Sequence, residues 1–116
     1  MSKVKVRVSV KTNEEEIVHE TTAILIDELL KYKEKDSTTV IFDKEKNTLV
    51  RENNEIKMKY SFQEKKESTG IIDIKELQKG IEVKIYTEII RRKDKDIEII
   101  FHIEENTFVY HIEVLE

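Results

Sequence analysis

The chain has 116 residues, of which 38% are apolar and 40% charged, and its formal net charge is −4. It contains no cysteine, no proline and only two glycines, Gly70 and Gly80, which excludes disulfides, thiolate metal sites, cysteine nucleophiles and glycine-rich phosphate loops. The acidic balance argues against a dedicated nucleic-acid binder, and no apolar run reaches the length of about eighteen residues needed for a membrane helix, so a cytoplasmic protein with one domain over residues 1–116 is expected.

Residues 3–11 alternate strictly, with Val4, Val6, Val8 and Val10 on one face and Lys3, Lys5, Arg7, Ser9 and Lys11 on the other. A period of two is the signature of a half-buried strand. Thr12–Glu15 turns the chain into a second strand over 16–26, where two registers compete. One buries Ile17, His19, Thr21 and Ala23; the other buries Val18, Glu20, Thr22 and Ile24. Leu30 and Tyr32 point inward on a third strand, Val40 and Phe42 on a fourth. A four-residue turn at Lys44–Asn47 then brings Leu49 opposite Phe42. Asn53-Asn54 suits a two-residue turn because asparagine tolerates positive φ. That turn sets Arg51 opposite Ile56, with Ile56, Met58, Tyr60 and Phe62 facing inward.

The stretch from Asp73 to Gly80 reads as one helical turn, with Asp73 as its cap and Gly80 as its terminator. From Gly80 to Arg91 runs the longest strand, with Ile81, Val83, Ile85, Thr87 and Ile89 inward. The last two runs form a hairpin about Glu105-Asn106, which pairs Ile103 with Phe108, Phe101 with Tyr110, Ile99 with Ile112 and Ile97 with Val114. Short links throughout leave no room for parallel crossovers. The predicted fold is all-β: an antiparallel up-and-down meander of eight to ten strands closed into a barrel, with at most one short helical turn near residues 73–79. Closure removes exposed edges and sets the basic back of Lys3, Lys5 and Arg7 beside the acidic back of Glu98, Glu104 and Glu113.

Several segments carry a resemblance. Lys3–Thr12, Leu30-Lys-Tyr-Lys-Glu34, Thr38-Thr-Val40, Leu49-Val-Arg51, Met58-Lys-Tyr-Ser-Phe62 and Ile85-Tyr-Thr-Glu88 resemble, in order, the YwiB-like family of small bacterial proteins. The resemblance implies a calycin-like, lipocalin-type β-barrel of unknown function. Two departures stand out: Asn53-Asn54 where the family has a glycine, and a shortened Ser68-Thr-Gly70 ahead of the long strand.

Catalytic templates fail on inventory, so no enzyme and no cofactor is expected. His102 and His111 fall as diagonal neighbours on the outer face, an arrangement read as two solvated imidazoles and not as a metal site. Lysine stripes occupy strand backs away from most aromatics, which suits solubility better than RNA binding. The informative residues are polar groups expected to face a small barrel's interior: Arg51, Thr87, Tyr32, Tyr60, Tyr110 and either His19 or Glu20. In one reading Phe42, Met58, Tyr60, Phe62, Thr87, Phe101 and Tyr110 line a cup for a small apolar or amphipathic anionic ligand, whose acid meets Arg51 at the mouth. In the other, Arg51 pairs with Glu20 or Glu34 at the barrel end. The alternative function is an interaction module acting through the charged exterior or as a homodimer. A void of roughly 300 Å³ or more at the Arg51 end would favour the cup.

Overall fold

A computed structural model describes residues 2–115. Ten strands follow one another: β1 (Ser2–Lys11), β2 (Glu16–Ile26), β3 (Leu29–Lys33), β4 (Thr39–Asp43), β5 (Thr48–Glu52), β6 (Ile56–Ser61), β7 (Lys66–Ile74), β8 (Lys79–Lys93), β9 (Asp96–Ile103) and β10 (Asn106–Val114). Each pairs antiparallel with its neighbours in sequence, and β1 pairs with β10 to close the barrel. One pair of the expected charge match forms at the closure, where Arg7 lies opposite Glu113 and donates to its carboxylate at 3.2 Å, while also bonding Glu20 on β2; Glu98 instead pairs with Arg91 on β8.

Alternation places the core. Val6, Val8, Leu30, Val40, Phe42, Ile85, Ile99 and Ile112 are buried and face the axis. With so few glycines, the links use other residues at positive φ: Asp27, Ser37, Asn47, Lys65, Gln78 and Glu104. The ambiguity on β2 resolves toward Ile17, His19, Thr21 and Ala23, since His19 opposes Val8 and Ala23 opposes Val4. Glu20 therefore faces outward, to Arg7.

Four expectations need correction. The closing hairpin turns at Glu104-Glu105, so Phe108 opposes Phe101, Tyr110 opposes Ile99 and Ile112 opposes Ile97. Likewise the turn after β5 falls at Asn54-Glu55, and Arg51 opposes Met58 instead of Ile56. Both shifts are by two residues, which preserves every inward face; alternation cannot detect such a shift. Asp73 and Gly80 lie in β7 and β8, opposite each other across a four-residue hairpin turn, so residues 73–79 hold no helical turn. Finally, a bulge between Thr87 and Ile89 inverts the pattern of β8, so that Ile90, not Ile89, packs on the core.

The two barrel ends differ. At the end holding the β2–β3, β4–β5 and β8–β9 turns, Arg92 donates to the Lys44 carbonyl at 2.5 Å and to the Asn47 side chain, tying the turn down. Near the opposite end β2 diverges from β3. The two pair only at Ile24–Ile26 with Leu29–Lys31, and among the described residues no strand lies beside the outer edge of Glu16–Ala23.

Candidate functional site

A cavity of about 540 Å³ lies at the Arg51 end, the end that holds the β1–β2, β3–β4, β5–β6 and β9–β10 turns. One wall is apolar: Val10 from β1, Ile17 from β2, Phe101 and Ile103 from β9, and Phe108 from β10. The rest of the lining is mixed, with His19 next along the inward face of β2 from Ile17, Glu34 to Asp36 after β3, and Arg51 on β5. Leu49, Met58, Tyr60 and Tyr110 also contribute. Val18 points outward by alternation yet also lines the cavity, so the space continues around the free edge of β2. Ile17 and Val18 are 57% and 51% exposed, which makes this edge an apolar entrance.

Of the residues expected to form the cup, Arg51, Met58, Tyr60, Phe101 and Tyr110 line this cavity. Phe42, Phe62 and Thr87 do not reach it; they are buried in the filled part of the barrel. Thr87 carries a buried hydroxyl with no protein partner. Ile103 and Phe108 were recognisable as inward-facing, and their place beside the last hairpin turn is the signal that puts them at the open end. Glu34 stood out only as a potential partner for Arg51.

That partnership forms. Arg51 donates from Nη2 to Glu34 Oε1 at 2.5 Å and from Nε to Oε2 at 3.2 Å, a two-bond fork that is part-buried. The guanidinium edge is therefore occupied by the chain's own carboxylate, and the pair fastens the β3–β4 loop to β5. The same loop is braced from within: Asp36 accepts from the Thr38 amide, and Asn53 bonds the Thr38 hydroxyl. The Thr38 side chain first, and then its amide, hold the Asp36 carboxyl below its usual range.

Deeper in, the hydroxyls of Tyr32 and Tyr110 meet at 2.5 Å. Burial pushes both phenols well above their ordinary ionisation range. The native state therefore keeps protons that the unfolded chain releases near pH 10. The resulting contribution to stability is full below that pH and is lost as pH rises through and beyond it. Replacing both by phenylalanine should make urea stability fall less steeply between pH 9 and 11 than in the parent protein. Each protected phenol accounts for up to about 1.4 kcal/mol per pH unit. Parallel curves for the two proteins would show that these phenols titrate normally.

On the outer face His102 and His111 are not joined to each other. His102 contacts Thr107 and Glu88, at 3.0 and 2.8 Å, and His111 contacts Asp96 at 2.5 Å. No group of three or more metal-ligating side chains occurs among the described residues. No helix among them is long and apolar enough to cross a membrane.

Fold and site together define a closed ten-stranded antiparallel barrel, plugged at one end and hollow at the other. The chain is similar to the crystal structure of the ywiB protein from Bacillus subtilis, with a TM-score of 0.63 and 16% identity over 98% of this chain and 94% of that one. The likeness shows a shared fold. No family model and no curated protein matches the sequence.

Proposed function

We propose that this protein is a cytoplasmic, non-enzymatic binding protein of the YwiB-like, calycin-type group that holds a small, largely apolar molecule in the end cavity of its barrel. The observation that carries this reading is the cavity itself. A small barrel is ordinarily filled by its own side chains, yet here about 540 Å³ is left beside an apolar wall. That volume lies within the range of small-molecule sites. Arg51 is already satisfied by Glu34, so the reading calls for no acid on the ligand; an anionic head would have to displace Glu34 and leave a part-buried carboxylate unpaired.

The test uses the neutral fluorophore N-phenyl-1-naphthylamine. The parent protein should bind it with micromolar affinity and a blue shift. Ile103→Trp, which puts an indole into the cavity, should weaken binding at least tenfold while leaving the unfolding midpoint near that of the parent. No binding by the folded parent protein, or equal binding by the variant, would remove the ligand reading.

A second reading rests on the free edge of β2, whose unpaired backbone and exposed Ile17 and Val18 suit pairing with another strand. Under that reading the protein is a homodimer or interaction module, and light scattering of the purified chain distinguishes a dimer from a monomer.

A further inference from the structure

We infer that the cavity takes a flat aromatic or heteroaromatic molecule, which extends a column of packed rings already present in the barrel. This rests on the reading of the cavity as a ligand site and specifies the class of ligand. Phe62, Phe101 and Phe108 form the column. The centroids of Phe62 and Phe101 are 4.8 Å apart with planes at 49°, and those of Phe101 and Phe108 are 5.1 Å apart and nearly parallel at 14°. Tyr60 supports the middle ring edge-on, at 6.2 Å and 74°.

The column has a direction. Phe62 is 2% exposed and Phe101 5%, whereas Phe108 is half-buried and lines the cavity. Phe101 has rings on several sides. Phe108 has an aromatic neighbour on one side only among the described residues, and the stack ends with it, at the hollow. Offset stacking of π-systems is stronger than equal-area contact with a saturated group, because the ring quadrupoles are complementary. A planar ring laid against Phe108 gains that term, and an alkyl chain does not.

The polar groups of the lining fit the same class. His19 on β2, Glu34 in the β3–β4 link and Arg51 on β5 line the same cavity, while Phe101 and Phe108 stand on β9 and β10 and Phe62 just after β6. A disc with its face on Phe108 shares the cavity with these groups, which can meet polar edge atoms, as a ring bearing oxygen or nitrogen requires. The hairpin turn at Glu104-Glu105 connects the two strands that carry Phe101 and Phe108, and those residues are direct cross-strand partners. The Phe101–Phe108 pair is therefore set by the backbone ladder and stands ready before a ligand arrives.

The experiment compares 2-naphthol with decahydro-2-naphthol, which share a skeleton and differ in planarity, by calorimetric titration. The parent protein should prefer 2-naphthol by about two- to tenfold, the ratio that a ring–ring term of ordinary strength supports. Phe108→Leu should bring the ratio near one by lowering the affinity for 2-naphthol more than that for the saturated alcohol, and Phe108→Tyr should keep the preference. Unfolding midpoints confirm that both variants are folded. Equal affinities in the parent protein, or a preference that survives in Phe108→Leu, would overturn the aromatic assignment and leave the cavity reading standing. Binding of neither alcohol would overturn both.

Discussion

Gly70→Ala is expected to destabilise the protein by about 1–3 kcal/mol, the cost typical of forcing atoms into a packed interior. Gly70 is buried on β7, and a β-carbon there would lie 2.6 Å from Cδ1 of the Tyr60 ring and 2.9 Å from Cδ1 of Ile85. The Tyr60 ring has little freedom to retreat, because it is held edge-on against Phe62 and Phe101. The glycine is thus required by close approach and not by backbone conformation. The clash is specific to one partner, so the effect should be non-additive: in a Tyr60→Val background the same substitution should cost clearly less. Urea titration of the four proteins measures this. Equal costs in both backgrounds would show that Tyr60 is not the obstacle. Because Tyr60 lines the cavity, the single variant should also disturb probe binding.

Phe42→Ala is expected to cost about 3–5 kcal/mol, while Phe108→Ala costs substantially less. Phe42 is wholly buried among Leu30, Val40, Leu49 and Tyr110 in the filled half of the barrel, where neighbours cannot collapse into the void without disturbing the ladders. Phe108 already borders open space, so its removal enlarges an existing hollow and creates no new one. Denaturation midpoints of the two variants therefore report on the division into a filled half and a hollow half. Similar losses at both positions would contradict it. A domain of this size has only about 5–15 kcal/mol to lose, so Phe42→Ala brings it near the limit of folding.

These contrasts follow from a fold that was legible in strand faces and largely illegible in depth. Val4 to Val10, Leu30 with Tyr32, Val40 with Phe42, and Met58 with Tyr60 all face inward as alternation requires. The match of Arg7 with Glu113 across the closing seam was also readable, because an even number of antiparallel strands brings the first and last together. Register was not. Period two says which side a residue faces and is blind to a slide by two, so both the Asn54-Glu55 and Glu104-Glu105 turns lay one position away from where turn propensity placed them. The bulge after Thr87 was equally hidden, since Ile89 and Ile90 are both apolar and either could have pointed inward.

The amino-acid sequence alone determined an all-β meander, its closure, its apolar lining and the absence of cysteine-based chemistry, because these follow from composition and from a local two-residue period. Tertiary structure decided everything that depends on height along the barrel axis and on contacts between distant strands. It placed Phe42, Phe62 and Thr87 in the filled half and Phe101, Ile103 and Phe108 around the hollow. It gave Arg51 to Glu34, and it parted β2 from β3 to open the wall. Whether a lining is packed solid or encloses a cavity depends on how side chains from strands far apart in sequence meet across the axis, and no local pattern encodes that distance.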